Sequence, residues 1–391
     1  MTDNDSVELN DDATTWTFKR IVLSLLLVFL LTSNGRRLLS RSLVNATKKY
    51  IFLVPVRIRY SMITSGLRFP FSIQRPLLKM MQAPESEHLS SILRVRFKSW
   101  VGDWIVQDIH KKQKNPRAWM ETTVADADLV VMFIHGGGFH LGTSTQYMPA
   151  FLNMISQLKD NHQLKDVRIL SVDYSLSPMA AHPTALNECV SAYRYLVHDL
   201  SISPSRIIVA GDSAGGNLTA ATLLKVRDQR HHQDLADLPP IPLPAGAALI
   251  SPWIDLDDEH SITAENDVAS DFVRSWQIRS YFSGYLPQLA QMDQKERQAV
   301  LRQPDVSPIY ADYHEFCPVL LTMGGGEFLK PQIEAFAKKL KKDGVDLDIA
   351  TRPDAPHCYI VESNVAVSKE QWLKDLQVFT DWCAKIVVVS K

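Results

Sequence analysis

Cysteine is scarce in this chain, four among 391 residues. Cys189, Cys317, Cys358 and Cys383 stand far apart with no C-x-x-C among them, which argues against both a zinc site and a disulfide framework. An excess of either charge is also missing. Lys and Arg number 42 and Asp and Glu 43, for a net charge of −1, so nothing electrostatic points to a nucleic-acid partner. There is no repeat with a period of about 20–50 residues and no low-complexity tract, which excludes solenoids and propellers. What is present is a hydrophobic fraction of 46%, enough for a full core. The length suits two average domains, or one large α/β domain behind an N-terminal extension.

The extension has three parts. Residues 1–18 form an acidic tail carrying Asp3, Asp5, Glu8, Asp11 and Asp12. Residues 19–35 hold the one long apolar run, Ile21–Leu31, broken only by Ser24. A full helical span needs about 20 apolar residues, so this is a short membrane anchor or a helix lying in the interface. Basic residues flank both sides, Lys19 and Arg20 before it and Arg36, Arg37 and Arg41 after it, and the orientation stays open. Residues 36–100 read as a linker and cap helices that cover a site or touch lipid.

From about residue 101 to 391 strands alternate with helices, and the centre of that pattern is Gly211-Asp212-Ser213-Ala214-Gly215. A β-branched apolar run, Arg206 to Ala210, precedes it, and a segment of helical spacing, Asn217 to Arg227, follows. Strand, sharp turn and helix are the setting of a G-x-S-x-G nucleophile elbow. An ordinary glycine-bearing turn is the bland alternative. Further strands are expected at 129–134, 167–174, 247–250, 319–323 and 345–351, with helices between them. This predicts one doubly wound α/β domain with a mostly parallel sheet, interrupted by a cap insertion over 253–314.

The run His135-Gly136-Gly137-Gly138 directly follows a strand. Acyl transfer needs N–H donors aimed at the oxygen that becomes negative, and Gly137, Gly138 and Ala214 are the expected oxyanion hole. A phosphate loop is a lesser rival, since the Lys and Ser/Thr of a P-loop are missing. A serine also needs a base, and the base an acid, in the chain order Ser, acid, His. His314 and His357 are the candidates beyond the insertion, and His357, just past the last strand, is the expected base. Glu327, following the strand at 319–323, is the expected acid. Asp354 is its rival but would have to fold back on its own loop, and Asp212 is expected to hydrogen-bond locally.

Together these motifs resemble the hormone-sensitive-lipase branch of the α/β-hydrolases. The likeness rests on His-Gly-Gly-Gly, Asp173-Tyr174-Ser175-Leu176-Ser177-Pro178, Gly-Asp-Ser-Ala-Gly-Gly, Ser251-Pro252-Trp253, Ser307-Pro308 and the Gly-Gly-Glu-Phe-Leu loop. With the apolar N-terminus added, the pattern is similar to membrane-anchored arylacetamide deacetylases and fungal sterol deacetylases. The resemblance implies an α/β-hydrolase fold with a helical cap, and hydrolysis without metal or cofactor of short acyl esters of bulky apolar alcohols, such as sterol or xenobiotic acetates. It also implies a membrane setting, the endoplasmic reticulum, with membrane lipid as the N-terminal segment's partner. Many members carry Asp where Glu327 stands. An amidase or formamidase would use the same triad, and a ligand receptor on the same scaffold would lose the histidine that is present here. Asn45 and Asn217 both begin glycosylation sequons, the second on a helix expected to be buried.

Overall fold

A computed structural model describes residues 51–228, 241–257 and 270–389. The chain divides into Met1–Leu53 and Val54–Lys391, and the sheet and its helices belong to the second unit. The apolar segment 19–35 and Asn45 lie outside the described residues. Among the described residues, no helix is long and apolar enough to cross a membrane.

In chain order the elements are α1 (Val56–Gly66), α2 (Phe71–Met81), β1 (Ile92–Arg96), β2 (Val101–Ile105), α3 (Pro116–Thr123), β3 (Leu129–Ile134), α4 (Met148–His162), β4 (Val167–Val172), α5 (Thr184–Arg194), β5 (Ile207–Asp212) and α6 (Ala214–Asp228). There follow β6 (Gly246–Ile250), α7 (Ser275–Tyr285), α8 (Gln294–Leu301), β7 (Val319–Gly324), α9 (Lys330–Lys342), β8 (Leu347–Arg352) and α10 (Lys369–Val389). The eight strands form one sheet in the order β1-β2-β4-β3-β5-β6-β7-β8. The pairings of β2 with β1 and with β4 are antiparallel, and the remaining pairings are parallel. Every residue of β3, β4, β5, β6 and β7 is buried. Strands buried along their whole length, most of them largely apolar, are what a parallel sheet with both faces covered requires.

The sheet begins at Ile92, inside the segment read from the sequence as linker and cap helices. The cause is a polar pair within the hairpin. Asp103 on β2 is buried, and Arg94 on β1 pairs with it at 2.5 Å while Ser144 Oγ donates to it at 2.5 Å. An aspartate in mid-strand hides the apolar pattern by which a strand is read, and its partner lies on the neighbouring strand.

Chain order fixes where a ligand can lie. From β3 the chain moves outward to β4, then returns to place β5 on the other side of β3. Such a reversal opens a crevice beyond the carboxyl ends of the strands. The Gly136–Gly138 loop leaves β3 and the Ser213 turn leaves β5, so both border that crevice. Ser251, Glu327 and His357 follow β6, β7 and β8 at the same end.

Candidate active site

Between the last residue of β5 and the first of α6, Ser213 stands alone with φ 51°. A left-handed non-glycine residue costs about 1–2 kcal/mol. Three hydrogen bonds, each worth about 1 kcal/mol net, hold it there. Its amide donates to Ile250 O at 2.9 Å, and its carbonyl accepts from Asn217 N at 3.1 Å and Trp253 N at 3.0 Å. The helix also runs close under β3: a Cβ on Gly215 would fall 2.0 Å from Ile134 O. Only glycine permits that approach, and it sets the serine at the rim of the crevice.

The loop after β3 takes a backbone path that other residues resist, with φ 117° at Gly137 and 61° at Gly138. Its carbonyls are held from several sides. Gly137 O accepts from the amides of His140 and Leu141 at 3.1 and 2.9 Å, and Tyr174 OH donates to His135 O at 2.8 Å. Arg75 of α2 donates to His140 O at 3.0 Å and to Ser177 O. On its other side Gly138 meets α7, where a Cβ would fall 2.4 Å from the ring of Tyr281. Ala214 opens α6, and first-turn amides have no acceptor within their own helix.

Asp212 does more than bond locally. It is buried, and Oδ1 accepts from Gly136 N at 2.8 Å. Oδ2 accepts from Tyr147 OH at 2.7 Å and from Cys358 Sγ at 3.4 Å. One carboxylate therefore ties the elbow to the glycine loop, to the residue before α4 and to the histidine loop. Because Asp212 precedes Ser213 and Cys358 follows His357, the contact also brings the serine and histidine segments together. Burial pushes the Asp212 carboxyl up, against the opposing pull of its donors.

Glu327 and His357 are both buried. His357 Nδ1 lies 3.9 Å from Glu327 Oε1, and neither atom has another hydrogen-bond partner. The separation is longer than a hydrogen bond, but two orphaned polar atoms facing one another in the core interact strongly. Such pairs are often loose before substrate arrives. The other carboxylate oxygen is fixed: Oε2 accepts from Ser251 Oγ at 2.6 Å and from Gly324 N at 2.8 Å. Burial alone would lower the imidazole pKa, and Glu327, Asp271 and Asp212 together outweigh it, leaving His357 raised above the ordinary 6.5.

Two contributors have no role assigned from the sequence. Ser251 Oγ, besides donating to Glu327, accepts from Cys358 N at 3.1 Å. Asp271, in the insertion, accepts from Phe328 N at 2.7 Å and from His357 N at 3.2 Å. The residues set aside stay apart. Asp354 is exposed at a turn with φ 58°. His314 is exposed and pairs with Asp312 at 2.5 Å. Asp312, His314 and Asp343 form a group of metal-ligand type, but Asp343 Oδ2 already accepts from Tyr313 N and Lys339 Nζ at 3.0 and 2.7 Å. Of the insertion's aromatics, Trp253 and Tyr285 are core, while Phe272 lies edge-on to His357 at 6.0 Å. Asn217 is buried and donates to Trp253 O and Val306 O. All four cysteines are buried.

The profile of the alpha/beta hydrolase fold family Abhydrolase_3 matches residues 131–361. The chain is 28% identical over 229 residues to an acetyl-hydrolase of Streptomyces hygroscopicus, covering 59% of this chain and 67% of that protein. It is 32% identical over 169 residues to mouse hormone-sensitive lipase, covering 42% of this chain and 21% of the lipase. The alignments thus span about two thirds or less of these relatives. The crystal structure of an esterase from the bacterial hormone-sensitive-lipase family superposes with a TM-score of 0.65 at 26% identity, covering 85% of this chain and 98% of that one. The chain belongs to the α/β-hydrolase fold family, in its hormone-sensitive-lipase branch. That membership puts it among the carboxylic ester hydrolases.

Proposed function

We propose that the chain is a serine esterase or deacetylase acting on short acyl esters of apolar alcohols through Ser213, His357 and Glu327. The observation that carries this reading is the buried pair His357 Nδ1 and Glu327 Oε1, each without another partner, beside an elbow serine held at φ 51°. Ser213 Oγ attacks the acyl carbon while its proton passes to His357 Nε2. The carbonyl oxygen takes the negative charge and is met by the amides of Gly137, Gly138 and Ala214. As the carbon–oxygen bond breaks, the imidazolium returns the proton to the departing alcohol. Water then repeats the sequence on the acyl-serine, releasing the acid. Glu327 orients the imidazole and stabilises its charged form.

The substrate and setting rest on other supports. The S. hygroscopicus relative is named an acetyl-hydrolase, which favours a small acyl group. Phe69, Ile73 and Met81, at and around α2, are 46, 39 and 43% exposed, which suits an apolar alcohol or a lipid surface nearby. Together with the run Ile21–Leu31 they support a membrane-associated enzyme, and the resemblance to anchored deacetylases favours the endoplasmic reticulum. Apolar alcohols partition into lipid at about 0.8 kcal/mol per buried CH₂, so an anchored enzyme meets them at high local concentration.

The test is hydrolysis of acetyl, butyryl and palmitoyl esters of one apolar alcohol, beside the matching acetamide. Ser213→Ala and His357→Ala should each lower kcat/KM by about three orders of magnitude or more, and the double variant should be little worse. Additive losses would refute the triad, and a preference for palmitoyl or for the amide would refute the substrate class.

A further inference from the structure

The acid and the base sit on different loops, after β7 and after β8, and catalysis needs them in fixed register. The strand ladder ends at Gly324 and Arg352, and two further backbone bonds, Gly325 N to Arg352 O at 2.8 Å and Gly326 N to Ala355 O at 3.0 Å, stop just short of both residues. Beyond that point two buried side chains span the gap. Ser251 bridges Glu327 and the Cys358 amide. Asp271 bridges the next pair along, the amides of Phe328 and His357.

Asp271 is fully buried and comes from neither loop. It belongs to the insertion, where it also accepts from its neighbour Phe272 N at 2.7 Å. Phe272 faces the imidazole edge-on, so the insertion presents both a carboxylate and a ring to the base. A carboxylate is costly to bury, and this one is compensated by the amides of Phe272, Phe328 and His357. Its charge therefore acts on the nearest group able to become positive, His357.

We propose that Asp271 is a positioning residue for the base, fixing the backbone of His357 against that of Phe328 and adding a further negative charge beside the imidazolium. This rests on the triad reading given above. Three charged groups face the imidazole: Glu327 from the loop after β7, Asp212 from the elbow, and Asp271 from the insertion. Asp271 itself is faced by His357, by Glu327 and, from α1, by Tyr60. Burial pushes the Asp271 carboxyl up, and the charge on His357 opposes that. The chemistry is thereby coupled to the cap through an atom-level contact, and the insertion becomes part of the catalytic geometry as well as a wall.

The experiment compares wild type, Asp271→Asn and Asp271→Glu in the full chain. Each is counted by active-site titration with a fluorophosphonate and assayed on a water-soluble acetyl ester across pH. Asp271→Asn removes the charge and one acceptor. The acid limb of kcat/KM should move down by about half to one pH unit, and kcat should fall about tenfold with KM little changed. Asp271→Glu keeps the charge but displaces the carboxylate, so kcat should fall while the limb stays. Should Asp271→Asn fail to fold, the Glu variant decides, and wild-type kcat in it overturns the proposal. A lowered Tm with wild-type limb and kcat per titrated site would make Asp271 purely structural and likewise overturn it. Ser213→Ala run in parallel separates the two readings. If that variant keeps its activity, the triad itself fails. If it is dead while both Asp271 variants match wild type, only the positioning role fails.

Discussion

Ser251 Oγ donates to Glu327 Oε2 at 2.6 Å. The serine has φ 44°, a strained position that aims its hydroxyl across β6 and β7 at the acid. Its removal leaves Glu327 Oε2 with the Gly324 amide as its donor and leaves the Cys358 amide without the serine as its acceptor. A buried group stripped of its partner costs about 1–3 kcal/mol. Ser251→Ala should therefore lower stability by about 2 kcal/mol in urea unfolding and kcat by about tenfold. Ser251→Thr, which keeps the hydroxyl, should recover part of both. A Ser251→Ala enzyme with unchanged kcat would show that Glu327 is held without it.

The imidazole must be neutral to take the serine proton, and its pKa lies above 6.5 in the folded protein. The acid limb of kcat/KM should accordingly have a midpoint above 6.5 in wild type. Glu327→Gln removes the main contributor to that rise, so the limb should move to lower pH while kcat falls by a large factor. The same raised pKa bears on stability with a definite sign. The contribution of the His357 pairing is present below the unfolded value and is lost as pH rises through the folded one. A limb in the Gln variant at or above the wild-type position would contradict the pairing.

Asp212 ties three segments and carries a raised carboxyl. Asp212→Ala should cost about 3 kcal/mol, because the Gly136 amide and Tyr147 hydroxyl are both left buried without it. Asp212→Asn keeps an acceptor for Gly136 and should cost much less. Because burial of the charge opposes folding above the ordinary carboxylate range, the Asn variant should compare best with wild type at high pH. Denaturant midpoints at pH 5 and pH 9 check this, and equal losses for Ala and Asn would contradict it.

Truncation should separate anchor from enzyme. Arg59 of α1 donates to Asn364 O at 2.6 Å and to Ala366 O at 2.7 Å, and Tyr60 OH donates to Val365 O at 2.9 Å. Those bonds pin α1 to the segment just after the base. Deleting residues 1–35 should move the protein to the soluble fraction with activity on a water-soluble ester retained. Deleting 1–66 should destabilise the histidine loop and abolish activity. Membrane partitioning unchanged by the shorter deletion would rule out the anchor.

The central strands, the elbow and the glycine loop were legible because each is local: a continuous apolar run, or a motif whose residues touch their own chain neighbours. β1 and β2 were hidden because Asp103 looks like a surface residue until Arg94 is placed beside it across the hairpin. The roles of Ser251, visible only as part of a motif, and of Asp271 were hidden for the same reason at longer range. The partners of Ser251 lie 76 and 107 residues away, and those of Asp271 lie 57 and 86 residues away. No pattern of spacing marks such residues, since a buried serine and a surface serine are the same letter. The reach of Asp212 was underestimated on similar grounds, as its neighbours in sequence are not its partners in space.

The closeness of Tyr281 to Gly138 ties the cap to the glycine loop. The ring of a cap helix braces the turn whose amides are assigned to the oxyanion in the proposed mechanism. A leaving group large enough to lever α7 outward would take away that brace while still fitting the crevice. Selectivity of this kind registers in turnover and leaves affinity alone, so an oversized ester would behave as a tightly held, slowly cleaved competitor.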